Sequence, residues 1–296
     1  MQGPRAIPVI PDEVTDETVL LGGRPVRRMG FGAMQLPGPG VFGPPRDRDE
    51  ALAVLRRVVE AGVNHIDTAQ FYGPDVANEL LFEALHPYPD DLVIVSKVGA
   101  ARDDQGGWVA AQRPDELRAG IEANLATLGL DQIPVVNLRR HPDSDVPFAE
   151  QLDLMEAVRQ EGLIGAVGVS SVDMDEYTTA RSRVEVACVQ NPYNLADTSG
   201  SDVFDACRAD GVPYVPFFPL GSAFHPENPV LTVPSVVATA DRLGATPAQV
   251  ALAWLLTLAP AVLLIPGTSS RGHLEENLAA ADLVLDDEAL AALPKG

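Results

Sequence analysis

Basic residues are scarce in this sequence. The 296 residues include 21 lysines and arginines against 42 aspartates and glutamates, which gives a formal net charge of −21. A nucleic-acid partner requires a basic surface, and no such stretch is visible. The acidity instead predicts a well-solvated surface, on which an anionic ligand must be held locally by helix N-termini and a few placed donors.

Cysteines and long hydrophobic runs are also rare. Cys188 and Cys207 are the two cysteines of the sequence, too few for a disulfide framework. The longest apolar run, residues 259–266, falls far short of the roughly 18 residues that a membrane helix needs. The first residues, MQGPRAIPVIPDEV, lack the pattern of a secretion signal. We therefore expect a cytoplasmic protein in a reducing environment, with no membrane segment.

Strand and helix patterns alternate along most of the chain. Residues 1–16 predict an extended arm, and residues 19–28 predict a β-hairpin that turns at Gly22 and Gly23. Apolar patterns predict further strands over 29–33, 64–68, 92–98, 134–140, 163–169, 187–190, 212–218 and 261–265. Helical periodicity predicts helices over 49–61, 76–85, 114–128, 148–160, 173–181, 201–209, 234–243, 247–258, 273–280 and 287–293.

This alternation predicts an α/β fold. Eight strands after the hairpin, each followed by helical segments, favour a (β/α)8 TIM barrel with an N-terminal β-hairpin. No linker divides the chain, so residues 1–296 are predicted to form a single domain. A doubly wound sheet is the alternative, but Gly30-Phe31-Gly32 does not supply the GxGxxG turn that it would require.

Four chemically active side chains follow consecutive predicted strands. The segment HIDTAQFYG places Asp67 at a strand end and Tyr72 in the next loop, while Lys97 and His141 come near the ends of the following two strands. Taken singly, each could be a cap, a surface charge, a packed aromatic or a turn residue. Because barrel active sites lie at the carboxyl ends of the strands, their common placement favours a shared catalytic site.

The residue types indicate proton transfer to a carbonyl group. A phenol, with a reference pKa near ~10, is a poor acid at neutral pH. A buried Lys97 paired with Asp67 is predicted to lower the pKa of Tyr72, which then donates a proton to a carbonyl oxygen. His141 is predicted to hydrogen-bond the same oxygen. No activated serine or cysteine is recognisable, so the hydride must come from a cofactor.

These residues resemble the aldo-keto reductase superfamily. The resemblance runs from GFGAMQL at residues 30–36 to IPGTSSRGHLEEN at residues 265–277, and the catalytic tetrad of the family matches Asp67, Tyr72, Lys97 and His141. It implies cofactor contacts from Gly32, Ala33, Met34, Asp67, Ser170, Ser171, Gln190, Phe217, Leu220, Gly221, Gly267, Thr268, Ser269, Arg271, His273, Glu276 and Asn277.

Within that set, the resemblance assigns different parts of the cofactor to different residues. Ser170, Ser171 and Gln190 match positions that hold the nicotinamide carboxamide, and Phe217 matches an aromatic that stacks on the nicotinamide ring. Residues 267–270 precede a helix whose N-terminus can receive the adenosine phosphate. Glu276 and Asn277 match contacts to the adenine.

The sequence departs from the family pattern at three places. Ser171 stands where the family usually has asparagine, and His273 stands where many members have an arginine on the 2′-phosphate. Arg271 is a possible substitute, so NADPH is favoured over NADH. Few residues follow the last predicted helix, so we expect other loops to build the substrate pocket. Its predicted residues are Met34, Phe42, Phe71 and Trp108, each of which could equally be ordinary packing.

The loops suggest a narrower subgroup. GPGVFGPP at residues 38–45 and FYGPDVANELLFEAL at residues 71–85 are similar to bacterial members that include pyridoxal reductases. The resemblance therefore implies NAD(P)H-dependent reduction of an aldehyde or ketone to an alcohol, with pyridoxal as one expected substrate. The sequence predicts no oligomeric state.

Two other classes of protein share features with this sequence. In a metal-dependent barrel hydrolase, His65 and Asp67 would bind a metal together with His141, His225 and His273, but a zinc site would leave Tyr72 and Lys97 unexplained, and no metal is predicted. The second class is a non-catalytic NADPH-binding protein of the same fold, such as a potassium-channel accessory subunit. The complete tetrad favours an enzyme.

Overall fold

A parallel sheet forms the centre of the protein. The computed structural model describes residues 18–221 and 229–294, and the predicted arm lies outside them. Six parallel strands are ordered β10-β9-β8-β5-β4-β3. The described strands are β1 Thr18–Leu21, β2 Arg24–Arg27, β3 Phe31–Gly32, β4 His65–Asp67, β5 Val93–Val98, β6 Ala100–Arg102, β7 Trp108–Ala110, β8 Ile133–Arg139, β9 Ile164–Ser170 and β10 Val186–Gln190.

Helices follow the strands, as the alternation predicts. They are α1 Arg48–Glu60, α2 Val76–Leu85, α3 Pro114–Leu128, α4 Phe148–Gln160, α5 Met174–Arg183, α6 Ser201–Asp210, α7 Pro234–Leu243, α8 Pro247–Leu258, α9 Arg271–Ala279 and α10 Asp287–Ala292. Side-chain caps fix several starts: Asp47 accepts a hydrogen bond from Glu50 N at α1, and Asp173 forms a capping box at α5. Among the described residues, none of the helices combines the length and the hydrophobicity of a membrane span.

The hairpin of β1 and β2 packs against the beginnings of the central strands. The two strands pair antiparallel around Gly22 and Gly23. Leu21 and Val26 are buried in one cluster with Val93, Val95 and Val135. Because these three valines lie in the first halves of β5 and β8, the hairpin covers the amino-terminal ends of the central strands.

Two of the predicted strands form only isolated parallel bridges. Residues 212–218 and 261–265 are not described as strands; Tyr214 instead bridges Val189 on one side and Val262 on the other, and Leu264 bridges Met29. The physical reason is proline: Pro213 and Pro216 have no backbone N–H to donate to a ladder. The prediction of eight regular strands is therefore replaced, for the described residues, by a curved six-stranded sheet whose edges these bridges connect.

Short elements near the strand ends were not predicted. After β3, residues Ala33–Gln35 form a 3-10 helix, so the predicted strand over 29–33 ends early. The antiparallel pair β6–β7 follows β5 directly and pairs Arg102 with Trp108. The predicted helix over 273–280 begins earlier, at Arg271. Of these features, the 3-10 helix contributes Met34 and Gln35 to the lining of the cavity at the strand ends.

Candidate active site

A cavity opens at the carboxyl ends of the central strands. Because these strands are parallel, the side chains at their carboxyl ends lie on the same side of the sheet. They are Asp67 at the end of β4, Lys97 near the end of β5, Arg139 at the end of β8 and Gln190 at the end of β10. The lining residues are Gly32, Met34, Gln35, Asp67, Tyr72, Lys97, Arg139, Gln190, Phe217, Phe218, Pro219, Leu220, Gly221, Ile265, Pro266 and Gly267.

Asp67 and Lys97 form a buried ion pair in the floor of this cavity. Their exposed fractions are 3% and 1%. The Lys97 ammonium donates hydrogen bonds to the Asp67 carboxylate and, at 3.2 Å, to the Thr68 carbonyl. Gln190 Nε2 donates to the other carboxylate oxygen at 2.8 Å. Buried charges need such partners, so each residue of the pair stabilises the other.

Tyr72 lies above this pair, as the sequence predicts, but its pKa is not lowered. The Lys97 Nζ is 5.1 Å from the centroid of the buried Tyr72 ring. Burial raises the pKa of the Tyr72 phenol and the Asp67 charge adds to this, whereas the charges of Lys97 and Arg139 lower it, and the net direction is upward. The charge of Lys97 thus lowers the pKa of Tyr72, as predicted, but burial raises that pKa by more. The prediction of a net lowering is therefore wrong.

Lys97 itself remains a cation. Burial lowers the pKa of its ammonium, but the charge of Asp67 and contacts with Tyr72 raise it, and the net pKa is raised. The phenol therefore has a permanent positive charge beside it at neutral pH. Such a charge stabilises the phenolate that forms when Tyr72 gives up its proton.

His141 is not among the residues that line the cavity. Strand β8 ends at Arg139, so His141 falls in the following turn, where its Nδ1 accepts a hydrogen bond from Asp143 N at 3.3 Å. The fourth group beside Asp67, Tyr72 and Lys97 is instead Arg139. The strand register contained the signal that sequence reasoning missed, because Arg139 pairs with Ser170 across the sheet and Ser170 was already assigned to the site.

Arg139 is a cation without a counter-ion in the described part of the chain. Its guanidinium carbon is 5.5 Å from the Trp108 ring and 6.0 Å from the Phe217 ring, and in residues 18–221 and 229–294 no hydrogen-bond or ion-pair partner of the guanidinium is found. The adjacent Arg140 differs, because it donates to Glu176 at 2.6 Å and to Gln112 at 2.9 Å. Arg140 is structural, whereas Arg139 faces the cavity.

The predicted cofactor residues divide into two groups. Those that line the cavity are Gly32, Met34, Asp67, Gln190, Phe217, Leu220, Gly221 and Gly267. Those outside the lining are Ala33, Ser170, Ser171, Thr268, Ser269, Arg271, His273, Glu276 and Asn277. Ser269, from the second group, lines a groove next to the cavity. Met34 and Gln35 line both the groove and the cavity, so the two are continuous.

The donor set beside Gln190 fits a nicotinamide carboxamide. The Ser170 hydroxyl is buried and has no hydrogen-bond partner among the described residues. Its strand pairs Ser170 with Gln190, and Ser171 N donates to the Gln190 carbonyl at 3.1 Å. A buried hydroxyl without a partner is costly, which favours a ligand that bonds to it. Phe217, half-buried in the same wall, offers a ring on which a planar group can stack.

The N-terminus of α9 is already paired with a carboxylate. Glu50 of α1 accepts hydrogen bonds from Arg271 N at 3.1 Å and from the Arg271 guanidinium, whose Nη2 is 3.0 Å from Glu50 Oε2. These contacts lower the pKa of Glu50. A helix N-terminus attracts anions, and here Glu50 is the anion that it holds. His273, on the same helical turn, is exposed.

The predicted substrate residues take different positions. Met34 lines the cavity. Phe42 is exposed and stacks with Arg102, 5.5 Å from its guanidinium carbon. Phe71 is buried and contacts both Tyr72 and Trp108 edge-on, at 5.3 and 5.6 Å between ring centroids. Phe71 therefore supports the site from behind. Among the described residues, no group of three or more metal-binding side chains is found.

The fold and this cluster define a class of protein. A buried carboxylate–ammonium pair beside a phenol, at the strand ends of a parallel α/β sheet, is an arrangement for proton transfer in an enzyme. The model of the "Aldo/keto reductase family" matches residues 28–295. The chain belongs to the aldo/keto reductase family, which confirms the resemblance found in the sequence.

Individual relatives agree with the family. The chain is 48% identical over 285 residues to "Pyridoxine 4-dehydrogenase" of Escherichia coli strain K12, covering 95% of this chain and 98% of that one. It is 38% identical to an uncharacterized oxidoreductase of Schizosaccharomyces pombe, over 93% and 88% of the two chains. A crystal structure of an aldo/keto reductase from Klebsiella pneumoniae in complex with NADP and acetate superposes with a TM-score of 0.78, at 28% identity and 93% coverage of both chains.

Proposed function

We propose that this protein is an NADPH-dependent carbonyl reductase whose principal substrate is pyridoxal, which it reduces to pyridoxine. The observation that carries the proposal is the Asp67–Lys97 pair beside Tyr72 in a cavity at the strand ends. The substrate is supported by the likeness to the pyridoxine 4-dehydrogenase of Escherichia coli over nearly its whole length. Pyridoxine and pyridoxal differ by oxidation of one alcohol to an aldehyde, which is the chemistry of this site.

Each member of the cluster has a separate task. When bound in this cavity, a reduced nicotinamide would supply the hydride that the carbonyl carbon receives. Tyr72 transfers its proton to the carbonyl oxygen, which completes the alcohol and leaves a phenolate. Lys97 stabilises that phenolate, and Asp67 keeps Lys97 charged. A proton from solvent then restores the Tyr72 phenol.

The residues that would hold the cofactor follow the two groups described above. Ser170 and Gln190 would bond the carboxamide, and Phe217 would stack on the nicotinamide ring. Arg271 would bond the 2′-phosphate of NADPH. The NADP-bound structure from Klebsiella pneumoniae supports this choice of cofactor.

We also propose that the sheet closes into an eight-membered barrel within a single domain. Backbone hydrogen bonds support this closure: Gly30 N donates to Leu264 O at 2.7 Å, Leu263 N to Tyr214 O at 2.9 Å, and Val215 N to Val189 O at 2.8 Å. Closure would leave the ring of strand ends continuous around the cavity, which fixes the site geometry.

A direct assay tests the function. Purified protein is mixed with NADPH or NADH and with pyridoxal, benzaldehyde or propanal, and the loss of nicotinamide absorbance is followed while chromatography identifies the alcohol product. We expect the highest kcat/KM for pyridoxal with NADPH, and pyridoxine as the product. Broad, weak activity would contradict the choice of pyridoxal. Binding of NADPH without reduction of any aldehyde would favour the non-catalytic alternative.

A further inference from the structure

The unpaired guanidinium of Arg139 has the position of a substrate-binding group. Arg139 ends β8 and lines the same cavity as Tyr72 and Lys97, and its guanidinium carbon is 5.5 Å from the Trp108 ring and 6.0 Å from the Phe217 ring. Its charge lowers the pKa of Tyr72, which places it within electrostatic range of the proton donor. A group so placed borders both the acid and the wall on which a planar ring can stack.

The charge of Arg139 also requires explanation. A partly desolvated cation is costly unless an anion or strong acceptor satisfies it. The protein has twice as many acidic as basic residues, yet no carboxylate of the described residues pairs with this guanidinium. The nearby Arg140 has found Glu176, so carboxylates are available at this end of the sheet. The arrangement favours a ligand that brings its own negative oxygen.

The chemistry of guanidinium narrows the kind of ligand. Arginine stays protonated at all accessible pH values, so Arg139 can donate hydrogen bonds but cannot serve as the acid, which leaves that task to Tyr72. Its parallel N–H groups match two neighbouring oxygen acceptors in one plane. An aldehyde with an ionised hydroxyl on the adjacent ring carbon presents such a pair, and pyridoxal is one compound of this class.

We propose that Arg139 binds the carbonyl oxygen and an adjacent phenolate oxygen together, and thereby selects aromatic aldehydes with an ortho hydroxyl group. This inference rests on the proposed carbonyl reduction and names its substrate class. In the reaction, Tyr72 still transfers the proton and the hydride still goes to the carbonyl carbon. Arg139 stabilises the negative charge that develops on the carbonyl oxygen and orients it, a role predicted from the sequence for His141.

The test compares three aldehydes and three variants. The aldehydes are 2-hydroxybenzaldehyde, 4-hydroxybenzaldehyde and benzaldehyde, so that the hydroxyl is adjacent, remote or missing. Arg139→Met removes the charge at similar length, and Arg139→Lys keeps the charge but not the paired N–H groups. Arg183→Met is the matched control, because Arg183 pairs with Asp153 on the outer surface and its loss removes the same charge elsewhere.

We expect Arg139→Met to lower kcat/KM for 2-hydroxybenzaldehyde about 100-fold and for the other two aldehydes less than about tenfold, because a paired charged hydrogen bond is lost only with the ortho compound. Arg139→Lys should fall between Arg139→Met and the unmodified protein, and Arg183→Met should change none of the three. Equal losses on all three aldehydes would overturn the proposal, because Arg139 would then act only through Tyr72 or the fold.

A binding measurement without turnover gives a second readout. With NADP⁺ present, 2-hydroxybenzaldehyde cannot be reduced, and its ultraviolet absorption reports whether it is bound as the phenolate. We expect the phenolate spectrum with the unmodified protein and with Arg183→Met, and the neutral spectrum or no binding with Arg139→Met. A phenolate spectrum that persists in Arg139→Met overturns the proposal. Reduction of 2-hydroxybenzaldehyde but not of pyridoxal would refute the proposed principal substrate and leave the role of Arg139 intact.

Discussion

Asp67 and Lys97 show how one buried pair serves both stability and chemistry. Both side chains are almost completely buried, and Gln190 and the Thr68 carbonyl complete their hydrogen bonds. Replacing one partner leaves the other charged and unpaired, whereas replacing both with neutral residues removes the charge problem. The two effects can therefore be separated by mutation.

Lys97→Met should destabilise the protein by about 3–5 kcal/mol because Asp67 loses its partner. The double variant Lys97→Met with Asp67→Asn should recover most of that stability. Both should lose at least about 100-fold in kcat, because Tyr72 then lacks the charge that stabilises its phenolate. Urea unfolding and steady-state kinetics measure the two effects. A double variant that regains activity would show that Lys97 is only structural.

His65 predicts a loss of stability in acid. Its ring is buried, neither nitrogen has a partner among the described residues, and burial lowers the pKa of His65 to about 4. In the unfolded chain, His65 binds a proton near pH ~6.5. The free energy of unfolding is therefore unaffected by His65 above that pH, and it decreases as the pH falls from ~6.5 towards 4, where only the unfolded state binds the proton.

Between pH 7 and pH 4.5 we therefore expect the protein to lose about 2 kcal/mol of unfolding free energy through His65 alone. The comparison of the unmodified protein with His65→Gln at the two pH values isolates this part, because acidic residues titrate in both. Identical pH dependence in the two proteins would show that His65 does not titrate as described.

At the scale of elements, the packing of β4 against the segment before β3 depends on Gly30. A Cβ at residue 30 would lie 2.1 Å from His65 Cε1. We expect Gly30→Ala to destabilise the protein by about 1–3 kcal/mol through overpacking.

Gly272, in the first turn of α9, is the matched control for Gly30. A Cβ there would lie no closer than 3.7 Å to a neighbour, and alanine is the better helix former. Gly272→Ala should leave stability unchanged or raise it by about 0.5 kcal/mol. Urea unfolding measures both variants, and equal effects of the two substitutions would contradict the packing argument.

The contact between α1 and α9 predicts a competition for cofactor. Glu50 holds the Arg271 guanidinium and the first N–H of α9, which the 2′-phosphate of NADPH would also bind. Arg271→Ala should therefore weaken NADPH about tenfold while changing NADH little. Glu50→Gln should tighten NADPH and leave NADH unchanged. Fluorescence titration of the unmodified protein and the two variants with each cofactor measures the six dissociation constants. Equal weakening of both cofactors by Arg271→Ala would contradict this account.

Elements were predictable where local chemistry specified them. Asp47 and Asp173 cap α1 and α5 close to the predicted starts, because an N-cap is a short-range signal. The segments around Tyr214 and Leu264 were predicted as strands from their apolar side chains, but ladder formation also depends on N–H groups that Pro213 and Pro216 lack. The pair β6–β7 was missed because its alternation is short and only partly buried.

A site residue could be predicted from the sequence where the end of its strand could be predicted. Asp67, Tyr72 and Lys97 line the cavity together, as their positions relative to β4 and β5 indicate. His141 does not, because whether residue 139 or residue 141 faces the cavity depends on where β8 leaves the sheet. That point is set by pairing with β9, a contact between segments distant in sequence. The family resemblance favoured the histidine, and the tertiary structure brings Arg139 to the wall instead.

At the scale of the whole molecule, the packed core and the candidate active site lie at opposite ends of the strands of one sheet. The hairpin and the valines of β5 and β8 fill one edge, while Asp67, Tyr72, Lys97 and Arg139 line the cavity at the other. In folds of this kind, such a separation allows a change in the loops at the carboxyl ends of the strands without a change in the packed core. The acidic surface adds a condition, since local cations such as Arg139 and Arg271 must attract any anionic ligand.

The most direct test of the account is the reduction of pyridoxal by NADPH with the unmodified protein and with Tyr72→Phe, measured together with NADPH binding. The variant keeps the ring contact with Phe71 and removes only the hydroxyl. We predict that NADPH binds with unchanged affinity and that kcat falls at least about 100-fold, because the proton donor is lost. Turnover that persists at the rate of the unmodified protein would contradict the assignment of Tyr72 as the acid, and with it the proposed reaction.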